Sequence, residues 1–311
     1  MGDPRRDRPP EDGGGYFALL AQEPARGLLR ELREGPLSLA ELQARRGVAE
    51  RTMRHRLEAL ERMGLLCRHP LAGDRRATGC ALTEAGLELA LIMAEIEVVA
   101  ARHGLGSRLI EVIAERRRRL ILRALIDGPR TFTELLRLVP GLTHAALVRD
   151  LAALRAVGLA HERGGGRRGA SLHEVTGLMA QLRRALLRSA GWRWRWTPHG
   201  APRMAGDLAG LIRLSAPFVA LGPTVSGRVE LHVVPPAGGM RGWSDVEVSA
   251  AAGSISIVEF DAAGKPDARV QGTPLAWCEA LCGAAAGGLG IDGEIALAEA
   301  LLAGLVAALA L

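Results

Sequence analysis

The eight histidines and four cysteines of this 311-residue chain are the side chains best suited to metal binding or nucleophilic attack, and their spacing supports neither. No histidines cluster at metal-ligand intervals. Cys67, Cys80, Cys278 and Cys282 include no C-x-x-C pair. Cys67 and Cys80 flank an expected hairpin, and Cys278 and Cys282 share one helix face; buried structural thiols are the commoner reading of both pairs. No G-x-S-x-G, Walker A motif or paired dinucleotide-binding glycines occur, and GGLGIDG (287–293) is a lone glycine-rich loop. No catalytic residue, metal site or cofactor is therefore expected. The cluster that does stand out is basic: Arg51, Thr52, Arg54, His55 and Arg56 in one short run, with Arg75 and Arg76 some twenty residues on.

Charge is unevenly distributed around that cluster. Residues 1–204 hold 35 Arg and 23 Asp+Glu, a net of +12, whereas residues 205–311 hold 4 Arg, Lys265 and 11 Asp+Glu, a net of −6. The basic part fits a polyanion such as duplex DNA, and the acidic part does not. Because Lys265 is the single lysine, arginine richness as such carries little weight. The composition, 48% hydrophobic, is that of a globular chain.

The elements that must present the cluster occur twice. LLRELREGPLSLAEL (28–42) aligns with ILRALIDGPRTFTEL (121–135) at an offset of 93; beyond one inserted residue near Val139–Pro140 the offset is 94, placing Leu57, Leu60 and Gly64 on Leu151, Leu154 and Gly158. In each unit a leucine-rich helix stops at Gly-Pro. The next opens with a capping box, Ser38-x-x-Glu41 or Thr131-x-x-Glu134. After Gly47 or Gly141 a third helix buries Met53, Leu57 and Leu60, or Leu147, Leu151 and Leu154, and leaves its other face free. A short strand, a basic turn (GDRR at 73–76, GGGRR at 164–168) and a second strand ending near Leu82 or Leu172 follow; a further helix is expected from Thr83 or Glu174. Helix, helix, turn, helix and a basic hairpin is the order of a winged helix.

GPLSLAELQARRGVAERTMRHRLEALERMGLL and DGPRTFTELLRLVPGLTHAALVRDLAALRAVGLAHER resemble the core of HxlR- and MarR-type bacterial regulators, and ALTEAG (81–86) resembles the segment after their wing. The tryptophan usual in the first helix of HxlR-type proteins is replaced by Pro24 and by Arg117. The resemblance implies double-stranded DNA as partner. The N-terminal half of the third helix would enter the major groove, and the wing would touch backbone or minor groove. In unit one Arg51, Thr52, Arg54, His55 and Arg56 would face the groove, while Arg75 and Arg76 hold phosphates. In unit two the corresponding residues are Thr143, His144 and Arg149, with apolar Ala145 and Val148 among them, and wing residues Arg167 and Arg168. Unit two either adds phosphate contacts or pairing surface, or the two units stand in for the halves of a dimer.

From about Met204 the pattern changes to a helix over Asp207–Leu214 and strands over Arg228–Val234, Asp245–Ala250, Ser254–Phe260 and Asp267–Gln271, read as an antiparallel sheet with one buried face. PDARVQGTPLAWCEALCG and GLGIDGEIALAEALLAGL resemble the end of sterol-carrier-protein-like domains. That implies an apolar cavity for a small hydrophobic ligand. Trp277, Leu281, Leu297, Leu301 and Leu305 would line it, although filling a core is an equally good reading of each. The tract GWRWRWTPH (191–199) is read as sealing a domain junction, with base stacking by Trp192, Trp194 and Trp196, or capping of an apolar pocket, the less favoured alternatives. The helix after the first wing carries Leu87, Leu91, Ala94 and Val98, and is long enough to join the units or pair with a second chain in a homodimer.

The expected fold class is thus mainly α, two tandem winged helix-turn-helix domains, plus a C-terminal α+β domain. Its parts are a disordered tail at 1–15, winged helices at 16–104 and 105–200, and the α+β domain at 201–311. Ile295–Leu311 is too short and too interrupted, by Glu299, for a membrane span, so a cytoplasmic location is expected. The function implied is a sequence-specific transcriptional regulator modulated by a small apolar ligand, not an enzyme. The alternative is a lipid carrier or enzyme-like binding protein whose winged helices mediate protein interaction.

Overall fold

The computed structural model describes residues 22–71, 74–126, 128–139, 141–164, 171–196, 212, 214–234, 245–258, 265–281 and 288–310. The expected tail at 1–15, both wing tips and most of the expected helix at 207–214 lie outside them. The architecture is mixed α and β. It divides into two compact units, residues 1–185 with 196–198, and residues 186–195 with 199–311.

The first unit is built on two frames of the same connectivity. The first runs α1 (Glu23–Leu32), β1 (Leu37–Ser38), α2 (Leu39–Arg46), α3 (Glu50–Arg62), β2 (Leu66–Leu71), β3 (Asp74–Leu82) and α4 (Glu84–Arg102). After α5 (Ser107–Ala114) the second runs α6 (Arg116–Ile126), β4 (Arg130–Thr131), α7 (Phe132–Leu138), α8 (His144–Ala156), β5 (Ala160–Arg163), β6 (Leu172–Val175) and α9 (Gly177–Trp196), of which residues 186–195 belong to the second unit. Each frame closes a three-stranded antiparallel sheet, in the orders β1-β3-β2 and β4-β6-β5.

Local chemistry fixes this frame. Both capping boxes form: the Ser38 and Thr131 hydroxyls accept from the amides of Glu41 and Glu134, whose carboxylates take the cap amides in return. Helices α3 and α8 end at Gly64 and Gly158, which take left-handed φ values of 67° and 70°, a conformation costly for any residue with a Cβ. The next amides, Leu65 and Leu159, turn back onto Leu60 and Leu154. Thr83 and Thr176 then donate their hydroxyls to the carbonyls of Gly64 and Gly158. The last helix of the second frame therefore starts at Gly177 instead of Glu174: Thr176, not Glu174 two positions earlier, plays the part of Thr83, and β6 runs on to Val175.

The stripes expected to be buried are buried. Met53, Leu57 and Leu60 on α3, and Leu147, Leu151 and Leu154 on α8, are all inaccessible to solvent or nearly so. Each such side chain contributes about 1.5–3 kcal/mol relative to an exposed one. On α4 the buried face is Ala85, Leu89, Ile92, Met93 and Ile96, whereas Leu87, Leu91 and Val98 are exposed.

The second unit carries β7 (Gly227–Val233), β8 (Asp245–Ala251), β9 (Ser254–Val258), β10 (Ala268–Gly272), α10 (Pro274–Leu281), β11 (Gly290–Gly293) and α11 (Ile295–Ala310), with a 3-10 turn at Ala216–Phe218. The sheet order is β11-β10-β7-β8-β9. The expected antiparallel sheet is corrected at one ladder: β10 runs parallel to β7, pairing Ala268 with Val229 and Val270 with Leu231. Alternation of apolar and polar residues reports which face is buried and is silent on strand direction, so the pattern in ARVQG could not show this.

Candidate nucleic-acid interface

Helix α3 turns its buried stripe inward and thereby exposes the opposite face. Arg51, Thr52, Arg54 and His55 are all exposed on it, and Arg56 is half-buried at its edge. Glu50 at the helix start forms an i,i+4 ion pair with Arg54 that must be released before that guanidinium can reach a base. Arg75 and Arg76 lie on strand β3 of the hairpin that follows, and their side chains fall outside the described residues.

Helix α8 has the same length, 13 residues, and stands 94 positions on from α3. Its exposed face is different. Thr143 is the N-cap, its hydroxyl accepting from the Ala146 amide at 3.3 Å, so its side chain serves the helix end. His144 and Arg149 are exposed, and the imidazole of His144 packs against the ring of Phe132 with centroids 4.6 Å apart. Ala145 and Val148 are exposed between them, Val148 by 47%. Arg167 and Arg168 lie outside the described residues.

A residue that the sequence reading passed over ties α8 in place. Asp150 is fully buried, and its two carboxylate oxygens accept from the Nε atoms of Arg117 and Arg118 on α6, at 3.0 and 3.2 Å. The available signal was an acid falling beside the apolar stripe of Leu147, Leu151 and Leu154, together with the run Arg116–Arg119. An exposed helix start that offers its charge to a phosphate is the sequence expectation for that run; in the structure Arg117 and Arg118 hold Asp150, and Arg119 donates to the carbonyls of Ile113 and Ala114.

The cysteines of the first hairpin are not placed for a disulfide. Cys67 pairs with Ala81 across the ladder and Arg68 pairs with Cys80, so the two thiols project from opposite faces of the hairpin. Neither forms a disulfide, and burial pushes the Cys80 thiol above its ordinary pKa, away from thiolate chemistry. Of the tryptophans, Trp192 is buried, which takes its ring out of reach of a base, and half-buried Trp196 donates its indole N–H to Glu88 at 2.8 Å; the side chain of Trp194 is outside the described residues.

In the second unit Trp277, Leu281, Leu297, Leu301 and Leu305 are all buried and belong to one core with Val229, Leu231, Val248 and Val270 of the sheet. The Trp277 indole donates to the carbonyl of His232 at 3.0 Å, which fixes α10 against β7. Among the described residues no group of three or more His, Cys, Asp or Glu can hold a metal ion, and no helix is long and apolar enough to cross a membrane.

The HxlR-like helix-turn-helix family matches residues 112–188, a stretch that runs from α5 through the second frame into α9. No curated protein matches the chain.

Proposed function

We propose that this protein is a sequence-specific DNA-binding transcriptional regulator, with two tandem winged helix-turn-helix modules and a C-terminal domain that binds a small apolar ligand. The observation that carries the DNA-binding part is the family match over residues 112–188, joined to a frame at residues 23–102 that has the same caps, turns and sheet order. The exposed basic face of α3 lies where such modules meet the major groove. Arg51, Thr52, Arg54, His55 and Arg56 read bases there, and Arg75, Arg76, Arg167 and Arg168 hold phosphates. Support for the ligand domain is the order of β10, a small-residue turn, α10, β11 and α11, in which two helices cover one face of a sheet. Trp277, Leu281, Leu297, Leu301 and Leu305 are the side chains a ligand would displace or touch.

The test is fluorescence anisotropy of the full chain on duplex DNA from upstream of its own gene, at several salt concentrations, beside an Arg51→Ala/Arg54→Ala variant. Selective binding that weakens with salt and is lost in the variant is expected. No affinity for any duplex would sink the reading.

A further inference from the structure

We propose that the two exposed helix faces read chemically different halves of one DNA site, so that the operator is an unrepeated two-part sequence: a guanine-bearing part under α3 and a thymine-rich part under α8. This rests on the DNA-binding reading above and names the sequence class that the surface selects.

The caps of α3 and α8, Ala49 and Thr143 at one end and Met63 and Val157 at the other, are both 94 positions apart. Equivalent positions can therefore be compared one by one. Arg51 corresponds to Ala145, Arg54 to Val148 and His55 to Arg149, and all six are exposed. These are the positions left on the outer face by burial of Met53 and Leu57 in one helix and Leu147 and Leu151 in the other.

Chemistry then separates the two faces. A guanidinium matches the paired N7 and O6 acceptors of guanine, and α3 offers two at this surface. An alanine or valine has no hydrogen-bonding capacity and gains only from an apolar neighbour. In the major groove that neighbour is the 5-methyl group of thymine. Val148, 47% exposed on the face opposite the buried Leu147 and Leu151, is such a contact waiting for a partner. Arg149 beside it supplies charge for the backbone or for one flanking guanine. The inward side of the same position differs too: where α3 has half-buried Arg56, α8 has Asp150, buried and gripped by two arginines of α6. That ion cluster holds α8 in one orientation, as an apolar contact to a single methyl requires.

A chain with two identical reading heads would select a repeated or palindromic site; these two heads share no outward side chain among the three compared. The experiment is selection of bound duplexes from a random library by the full chain, followed by anisotropy on the selected duplex with single-atom base changes. Replacing thymidine by deoxyuridine in the α8 part removes only the methyl and is expected to weaken binding about fourfold, the effect of one buried methyl. Replacing guanine by 7-deazaguanine in the α3 part removes one acceptor and is expected to weaken it about tenfold. Each effect should vanish in its own variant, Val148→Ser for the methyl and Arg54→Ala for the acceptor, and persist in the other.

Recovery of the same bases under both helices, as a direct or inverted repeat, overturns the inference and leaves the regulator reading standing. So does indifference to the thymine methyl. A chain that enriches no duplex and shows no salt-dependent binding fails the regulator reading itself.

Discussion

Asp150 and His173 show how much of the second frame depends on single buried polar residues. Removing a buried carboxylate that two guanidiniums share loses both charge-assisted hydrogen bonds and leaves its cavity unfilled. Asp150→Ala is expected to cost about 3 kcal/mol in urea unfolding. His173, buried on β6, stands between Arg130 on β4 and Glu162 on β5, with Arg155 of α8 nearby. Burial, and to a smaller degree Arg155, holds its pKa below the ordinary 6.5, with Glu162 opposing the shift. The unfolded chain therefore binds the proton first. Stability from this group is complete above pH 6.5 and declines as the pH falls toward the lower folded value. Thermal unfolding between pH 7 and 5 should fall more steeply for the parent than for His173→Gln. Equal slopes in the two would exclude His173 as the source.

At the scale of elements the sequence was most informative where a single residue type has a single job. Ser38 and Thr131 with their glutamates, and Gly64 and Gly158 at the helix ends, could be placed before any coordinates, because capping and left-handed turns accept few alternatives. Two-residue strands such as β1 and β4 left no pattern to find, since two residues cannot show alternation. The parallel direction of β10 leaves no trace in alternation, and α9 starts beyond the expected Glu174 because Thr176 repeats the role of Thr83. Gly86, in the segment that resembles the regulators' post-wing helix, has a role that only packing reveals. A Cβ there would sit 2.0 Å from the carbonyl oxygen of Leu65, and a backbone atom in a sheet-and-turn frame has little room to withdraw. Gly86→Ala should destabilise the first unit by about 1–3 kcal/mol, read as a lowered melting temperature. At Gly27 the nearest atoms to an added Cβ are those of the Arg46 guanidinium, a flexible end, so Gly27→Ala should be milder. If Gly86→Ala melts with the parent, α4 does not rest on Leu65 as described.

For the molecule as a whole, the charge division and the element division argue for separate tasks. The basic residues lie mainly before residue 205, and the acidic C-terminal segment carries a net of −6, so a long polyanion is drawn to one part of the chain and repelled by the other. Within the basic part the helix and the wing should contribute differently. On the proposed function, arginines on the exposed face of α3 would meet base edges, whose identity changes from site to site, whereas Arg75 and Arg76 on the β3 hairpin would meet phosphates, which every duplex presents alike. Each phosphate contact releases condensed counterions and adds about 0.9 to the slope of log affinity against log salt. An Arg75→Ala/Arg76→Ala variant is therefore expected to bind all duplexes more weakly by a common factor, with that slope reduced by about 2. The Arg51→Ala/Arg54→Ala variant should instead lose discrimination between the selected duplex and a scrambled one. Salt titrations of both variants on both duplexes separate these outcomes. A wing variant that altered sequence preference while keeping the parent slope would move base readout from the helix to the hairpin, and with it the assignment of α3 as the reading head.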